Sequence, residues 1–243
     1  MIVLVTGANK GIGRAVAEEF AARGHTVLVG SRDPERGSRT VDELRMPGRD
    51  VRLVVLDVTD GESVREAARS IGTDVGGLDV LVNNAGMTGD LTRQAPAEAD
   101  LDVVRQVFET NVFGVIAVTN AMLPLLRRSP TPRIVNVSSS VGSLSRMSDP
   151  AHYLAGMPGY AAYPTSKTAL NSLTVQYAKD LRHEGILVNA ADPGACDTDL
   201  TRPLGRPVLR TAADGAAIVV ELASLGPDGP TGGLFNDDGP VPW

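Results

Sequence analysis

Tyr163 and Lys167 stand four positions apart in a stretch with helical patterning, so one helical turn puts a phenol and an ammonium on the same face. An ammonium held beside a tyrosine favours the phenolate and draws its pKa down from about 10 towards the range of an acid–base catalyst. Composition makes the pair stand out: of 23 basic residues only Lys10, Lys167 and Lys179 are lysines. Tyr153, Tyr160 and Tyr177 are followed four positions later by Met157, Pro164 and Leu181, none of them a cation. A Tyr and a Lys one turn apart also describe an ordinary surface contact. Their context is three serines at 138–140 upstream and a glycine-rich turn near the start of the chain.

That turn is TGANKGIG, residues 6–13, between a β-branched run and an amphipathic one. Gly7 permits a tight turn, while Gly11 and Gly13 leave room for a pyrophosphate against a helix N-terminus and its dipole. The spacing is G-x-x-x-G-x-G rather than the G-x-G-x-x-G dinucleotide fingerprint. Thr6, Gly7, Asn9, Lys10, Gly11, Ile12 and Gly13 are accordingly expected to line a cofactor. An acid about twenty residues further on would hold the ribose diol of NAD. Here the second strand runs out as VLVGSRD, which puts Ser31 and Arg32 at that place. Arg32, helped by Lys10, suits a 2′-phosphate, so NADP(H) is expected over NAD(H). Asp33 precedes Pro34 and reads as the cap of the next helix.

The elements that must position these groups follow from periodicity. Short β-branched runs at 2–6, 26–30, 51–56, 78–82, 133–137, 187–190 and 233–235 alternate with helical patterns at 12–23, 34–45, 61–71, 101–128, 163–183 and 212–225. The strands lack polar alternation, as strands buried on both faces do. The expected fold is α/β: one Rossmann-type, doubly wound parallel sheet of about seven strands, order 3-2-1-4-5-6-7, in a single domain over 1–243. Two stretches rich in Gly, Pro, Ser and Met, 140–159 and 195–207, each follow a strand and should emerge where open α/β sheets bind ligands. Met147, Tyr153, Leu154 and Met157 could line an apolar pocket there or simply pack the loop down. Pro164 suits a first helical turn, which starts that helix close to Tyr163.

A net charge of −6 argues against a nucleic-acid or anionic-membrane surface. Cys196 is the lone cysteine and fits a reducing compartment, either as a reactive thiol or as a packing residue. Met1 leads straight into a strand, and the best apolar stretch, 112–126, is interrupted and too short to span a bilayer. A cytoplasmic location is expected. Arg127 and Arg128 could meet an acidic partner, or complement a helix C-terminus.

Taken in order, the motifs resemble the short-chain dehydrogenase/reductase family, in its shorter branch, over essentially the whole chain. Thr6, Gly7, Gly11 and Gly13 match its T-G-x-x-x-G-x-G turn, and Asp57, followed by Val58, its adenine-side aspartate. Asn83-Asn84-Ala85-Gly86 match N-N-A-G, Asn111 the helix asparagine, and Ser139 the catalytic serine. Tyr163 and Lys167 match Y-x-x-x-K, Pro193-Gly194 the P-G segment, and Thr198 the residue that touches the nicotinamide carboxamide. Strand alternation sets Ser139 opposite Ser138 and Ser140 but does not choose among them, so Ser138 stays open.

The resemblance implies hydride transfer between nicotinamide and a carbonyl carbon. Tyr163 would be the acid/base and Ser139 a hydrogen-bond donor to the reacting oxygen. Lys167 would lower the Tyr163 pKa and hold the cofactor ribose, and Asn111 would position a water. Ser139 and Tyr163 are 24 positions apart, a longer interval than the resemblance leads one to expect. With the tail GPTGGLFNDDGPVPW, this is more similar to carbonyl reductases than to acyl-carrier-protein reductases. A small carbonyl or alcohol substrate is thus expected, with monomer or homo-oligomer left open. A ketoreductase of acyl-thioester or polyketide intermediates, or a non-catalytic NADP-binding sensor, are the alternatives.

Overall fold

The computed structural model describes residues 1–202, 205 and 207–243. Its elements run β1 (Ile2–Val5), α1 (Gly11–Ala22), β2 (Thr26–Ser31), α2 (Pro34–Leu44), β3 (Val51–Val55), α3 (Gly61–Asp74) and β4 (Val80–Asn83). They continue with α4 (Leu101–Phe108), α5 (Gly114–Leu126), β5 (Arg133–Val137), α6 (Leu144–Ser148), α7 (Tyr163–Leu181) and β6 (Leu187–Ala191). The chain closes with α8 (Ala212–Ala223), β7 (Leu234–Asn236) and β8 (Gly239–Val241). All strands join one sheet in the order β3-β2-β1-β4-β5-β6-β7-β8, parallel throughout except for the last pair.

The pleat explains why valines and leucines alternate in the strands. Val3 and Val5 of β1, Val27 and Val29 of β2, and Val80 and Val82 of β4 bury one face against α1 and α8. Leu4, Leu28 and Leu81, one position out of step, bury the other face with residues of α3, α5 and α7. Burial on both faces is what makes the runs apolar without alternation.

The structure refines three expectations. The sheet has an eighth strand: β8 folds back antiparallel on β7, turning at Gly239 with φ +110. Pro240 hides this strand from pattern reading, since Pro is tolerated only at a sheet edge. The helical run expected at 101–128 is found as helix over Leu101–Leu126, with a π turn at Glu109–Phe113 that contains Asn111. Among the described residues, Leu101–Leu126 is also longer than the 112–126 stretch, long and apolar enough to cross a bilayer. Half of its apolar window is buried inside the protein, where α5 packs on α3 and β4.

The loop at 140–159 is not structureless. It holds a short helical turn at Ser140–Gly142, then α6, then another at Tyr153–Gly156. Of the stretch 195–207, positions 203, 204 and 206 lie outside the described residues.

Candidate active site

Both loops, the glycine turn and the Tyr–Lys pair converge at the carboxyl end of the sheet. Gly7 and Gly11 take φ +63 and +56, conformations that fit glycine. A Cβ at Gly13 would lie 2.3 Å from Asn84 Nδ2 and 2.8 Å from the Gly7 carbonyl, so close approach of backbone and side chain demands that glycine. Asn84 Nδ2 donates to the carbonyls of Thr6 (2.8 Å) and Gly7 (3.2 Å), and Thr6 Oγ1 accepts from the N–H groups of Asn84 (3.0 Å) and Ala85 (2.9 Å). The end of β4 thereby fixes the turn after β1. No side chain caps α1, and no acid occupies its first turn. Its free N–H groups and dipole form a cradle for an anion, and Ile12 packs against the core behind it.

The basic residues nearby only partly match expectation. Arg32 is exposed, but Ser31 is buried and its hydroxyl donates to the Asp33 carbonyl at 2.8 Å, so Ser31 does not display its side chain to the cleft. Lys10 pairs with Asp199 at 2.9 Å rather than standing free. Asp33 caps α2 as expected, accepting from the N–H groups of Glu35 and Arg36 at 3.0 Å. Beside Asn9 and Gly11 opens a cavity of about 370 Å³ lined by Lys10, Arg14, Arg36, Arg39, Thr40 and Glu43. Arg36 and Arg39 were legible as cations of the helix after Arg32, yet only the fold brings them next to the turn. Asp57, just after β3, forms an Asx turn, accepting from Thr59 N (2.9 Å), and Val58 packs near Gly114. Thr198 sits against Gly11, 3.4 Å from where a Cβ would be, and Gly194 follows Pro193 at φ +70.

Alternation separates the three serines by surroundings. Ser138 is buried and donates to Asn171 Oδ1 at 2.5 Å; Ser140 is buried and donates to Asp192. Ser139 alone is half-buried; its hydroxyl accepts from Val141 N at 3.4 Å, and its proximity to Tyr163 acts to lower the phenol's pKa. Lys167 is buried, donates to the Val137 carbonyl at 2.9 Å, and lies 5.6 Å from the centroid of the Tyr163 ring. A Cβ at Gly86 would lie 3.3 Å from Asn111 Oδ1 and 3.7 Å from Lys167 Nζ, so the four matched residues share one cluster. Asn111 accepts from Met87 N (2.9 Å) and donates to Met87 O (2.9 Å) and to Ser166 Oγ (3.0 Å). Its amide hydrogens are thus shared between the segment after β4 and Ser166 of α7.

The expected depression of the Tyr163 pKa is reversed. Burial, reinforced by the Asp192 charge, pushes the phenol above its ordinary value, and the Ser139 hydrogen bond only partly opposes this. Burial also lowers Lys167, to about 8. Its ammonium is directed at the Val137 carbonyl.

Several site residues gave no sequence signal. Gln94, fully buried, caps α7 by accepting from Tyr163 N at 3.1 Å while donating to Thr88 O at 2.7 Å. Asp192, buried at the end of β6, was overlooked beside Pro193-Gly194. Of the four loop residues, Leu154 packs inward, Met147 and Met157 are half-buried and Tyr153 is exposed. Cys196 is buried, its thiol pushed up by desolvation, which suits packing rather than reactivity. Arg127 pairs with Glu184 at 2.6 Å and Arg128 donates to Gly76 O at 2.6 Å.

The family model described as short chain dehydrogenase matches residues 1–208. Over 243 residues, 98% of this chain and 94% of the relative, it is 36% identical to the short-chain dehydrogenase anuI of Penicillium roqueforti. Over 212 residues, 87% of this chain and 80% of the relative, it is 36% identical to the 3-oxoacyl-[acyl-carrier-protein] reductase FabG of Thermotoga maritima. The fold superposes on an NADPH-bound carbonyl reductase from chicken fatty liver with TM-score 0.85 and 28% identity, covering 99% of this chain and 98% of that one.

Proposed function

The chain belongs to the short-chain dehydrogenase family of oxidoreductases, and within it we propose that this protein is an NADPH-dependent reductase of ketone or aldehyde carbonyls. The observation that carries this reading is the convergence of Ser139, Tyr163, Lys167 and Asn111 beside an uncapped, glycine-lined helix N-terminus. The nicotinamide, when bound, supplies the hydride. Tyr163 donates its proton to the oxygen of the reduced carbonyl, and Ser139 hydrogen-bonds that oxygen as charge develops on it. Lys167 positions the ribose through its buried ammonium. Asn111 holds the segment after β4 in place and so fixes the floor of the site. A raised phenol pKa suits this direction, because reduction needs the protonated form. Arg32 and the basic cavity around Arg36 and Arg39 support a 2′-phosphate, and the chicken carbonyl reductase carries NADPH. The site's cofactor set comprises Thr6, Gly7, Asn9 to Gly13, Arg32, Asp57, Val58, Asn84 to Gly86, Lys167, Pro193, Gly194 and Thr198; Ser31 contributes backbone only.

The FabG similarity favours a second reading, a β-ketoacyl-thioester reductase. Arg127 and Arg128, the cations that could greet an acidic carrier, are spent on internal contacts. The test is NADPH or NADH consumption with ketones, aldehydes, quinones and β-ketoacyl thioesters. Tyr163→Phe should lower kcat by about 10²–10⁴. Unchanged turnover in that variant sinks the mechanism, and a preference for NADH sinks the cofactor assignment.

A further inference from the structure

Gln94 is buried in the middle of an exposed stretch: Thr92 and Arg93 before it, and Ala95 to Glu98 after it, all face solvent. Burying an amide is unfavourable unless both of its ends are hydrogen-bonded. Here both are. Nε2 donates to the Thr88 carbonyl at 2.7 Å, and Oε1 accepts from Tyr163 N at 3.1 Å. The Gln94 carbonyl also accepts from Ala161 N at 2.8 Å, so two bonds tie the segment between β4 and α4 to the residues that lead into α7. Gly89, at φ +70, brings the chain back over the amide, and a Cβ there would lie 3.3 Å from Gln94 Nε2.

The start of α7 cannot satisfy itself. Its N-cap is Ala162, which has no side-chain acceptor, and Pro164 in the first turn has no N–H. The N–H of Tyr163 is therefore left to a partner 69 positions away. The carbonyl of the same residue is held from the other side. Ser166 Oγ donates to Tyr163 O at 2.7 Å and accepts from Asn111 Nδ2 at 3.0 Å. Asn111 Nδ2 also donates to the carbonyl of Met87, the neighbour of Thr88, at 2.9 Å. The bonds close a circuit that runs from Tyr163 N through Gln94, Thr88, Met87, Asn111 and Ser166 back to Tyr163 O. Gln94, Asn111 and Ser166 are all buried, out of reach of competing solvent.

We propose that Gln94 is a positioning residue for the general acid: by closing this circuit on the Tyr163 backbone, it fixes where the phenol stands relative to the transferred hydride and the carbonyl oxygen. The proposal rests on Tyr163 being the general acid. Gln94 touches neither substrate nor cofactor in this scheme and acts only through the backbone of α7. Ser166 does the same from the carbonyl side, but it is a neighbour on the helix itself. Gln94 is the link that joins the phenol's backbone to the floor of the site after β4.

The measurement is kcat per NADPH-binding site, together with NADPH affinity, in wild type, Gln94→Met and Gln94→Glu. Gln94→Met keeps the length of the side chain and loses both bonds. Its kcat per site should fall about 10- to 100-fold while NADPH binds within about threefold of wild type, as expected for a reacting group misplaced by about 1 Å. Gln94→Glu keeps an acceptor for Tyr163 N at a helix N-terminus, where an anion is favoured, and should stay within about fivefold of wild type. A merely structural role would lower the number of NADPH sites and leave kcat per site where it was. That result, or equal losses in Gln94→Met and Gln94→Glu, overturns the proposal. If Gln94→Met does not fold, Gln94→Asn decides: it is polar but one methylene short of Tyr163 N, and wild-type kcat per site in it overturns the proposal too. The underlying reading fails separately. Full activity in Tyr163→Phe removes the general acid, whereas an inactive Tyr163→Phe beside an unimpaired Gln94→Met removes the positioning role alone.

Discussion

On the turn side of the cleft, geometry is set by backbone groups and buried amides: Gly7 and Gly11 at positive φ, Gly13 against Asn84, and Thr6 bridging β1 to β4. On the loop side, the links are side chains reaching across sequence: Arg146 to Ser140 to Asp192, Ser143 to the Pro242 carbonyl, and Lys10 to Asp199. The first kind of construction leaves no freedom to a substitution at the contact. The second can be retuned one residue at a time. On the proposed reading, a cofactor common to many reactions would lie against the rigid wall, and the substrate against the adjustable one.

The sharpest way to break this division is inside the serine triplet, where adjacent residues face the two kinds of surroundings. Ser139→Ala should cost about 10²–10³ in kcat, as loss of one donor to a developing oxyanion does, with thermal stability unchanged. Ser138→Ala removes a buried partner of Asn171, whose Nδ2 already lacks one. It should cost stability on the order of 1–3 kcal/mol and leave kcat within a few-fold. Thermal melts and steady-state rates on both variants separate the roles, and a reversed pattern would transfer the catalytic position to Ser138.

The next effect belongs to the turn. In Gly13→Ala the new methyl meets Asn84 and the Gly7 carbonyl at 2.3 and 2.8 Å, both parts of the fixed wall. Overpacking of this kind costs about 1–3 kcal/mol, read as a lower Tm together with weakened NADPH binding by fluorescence. Gly156→Ala in the loop meets nothing within 4 Å and should leave both unchanged. Equal losses in the two variants would mean that the loop is as tightly built as the turn.

What the sequence made legible follows the same division. The alternation of strands and helices, the glycine turn, Asp33 as a cap and the Tyr163–Lys167 helix face were readable because they are local: period, spacing and turn chemistry specify them. Gln94, Asp192 and Arg146 were not, since each works through a partner many residues away that only folding supplies. The sign of the Tyr163 shift was misread for a related reason. The adjacent lysine is visible in the sequence, but the desolvation and the Asp192 charge that raise the phenol are not. β8 escaped because its prolines mask a strand, although the Asn236–Gly239 segment carries turn chemistry.

The smallest expected effect lies where the two walls touch. Lys10 of the turn and Asp199 of the loop pair at 2.9 Å with side chains 58% and 48% exposed, and Asp199 also accepts from Arg202 at 2.5 Å. Exposed pairs of this kind are worth roughly 0–1 kcal/mol and fade with salt. Since Lys10 is the cation expected near a 2′-phosphate, Asp199 competes with that phosphate for it. Asp199→Asn should therefore tighten NADPH binding by about fivefold at most, which is under about 1 kcal/mol, and leave NADH binding unchanged. Titration at low salt should show the difference and titration at high salt should erase it. Weaker binding of both cofactors would instead identify Asp199 as a strap that holds the loop against the turn, and the adjustable wall would then reach across to the rigid one.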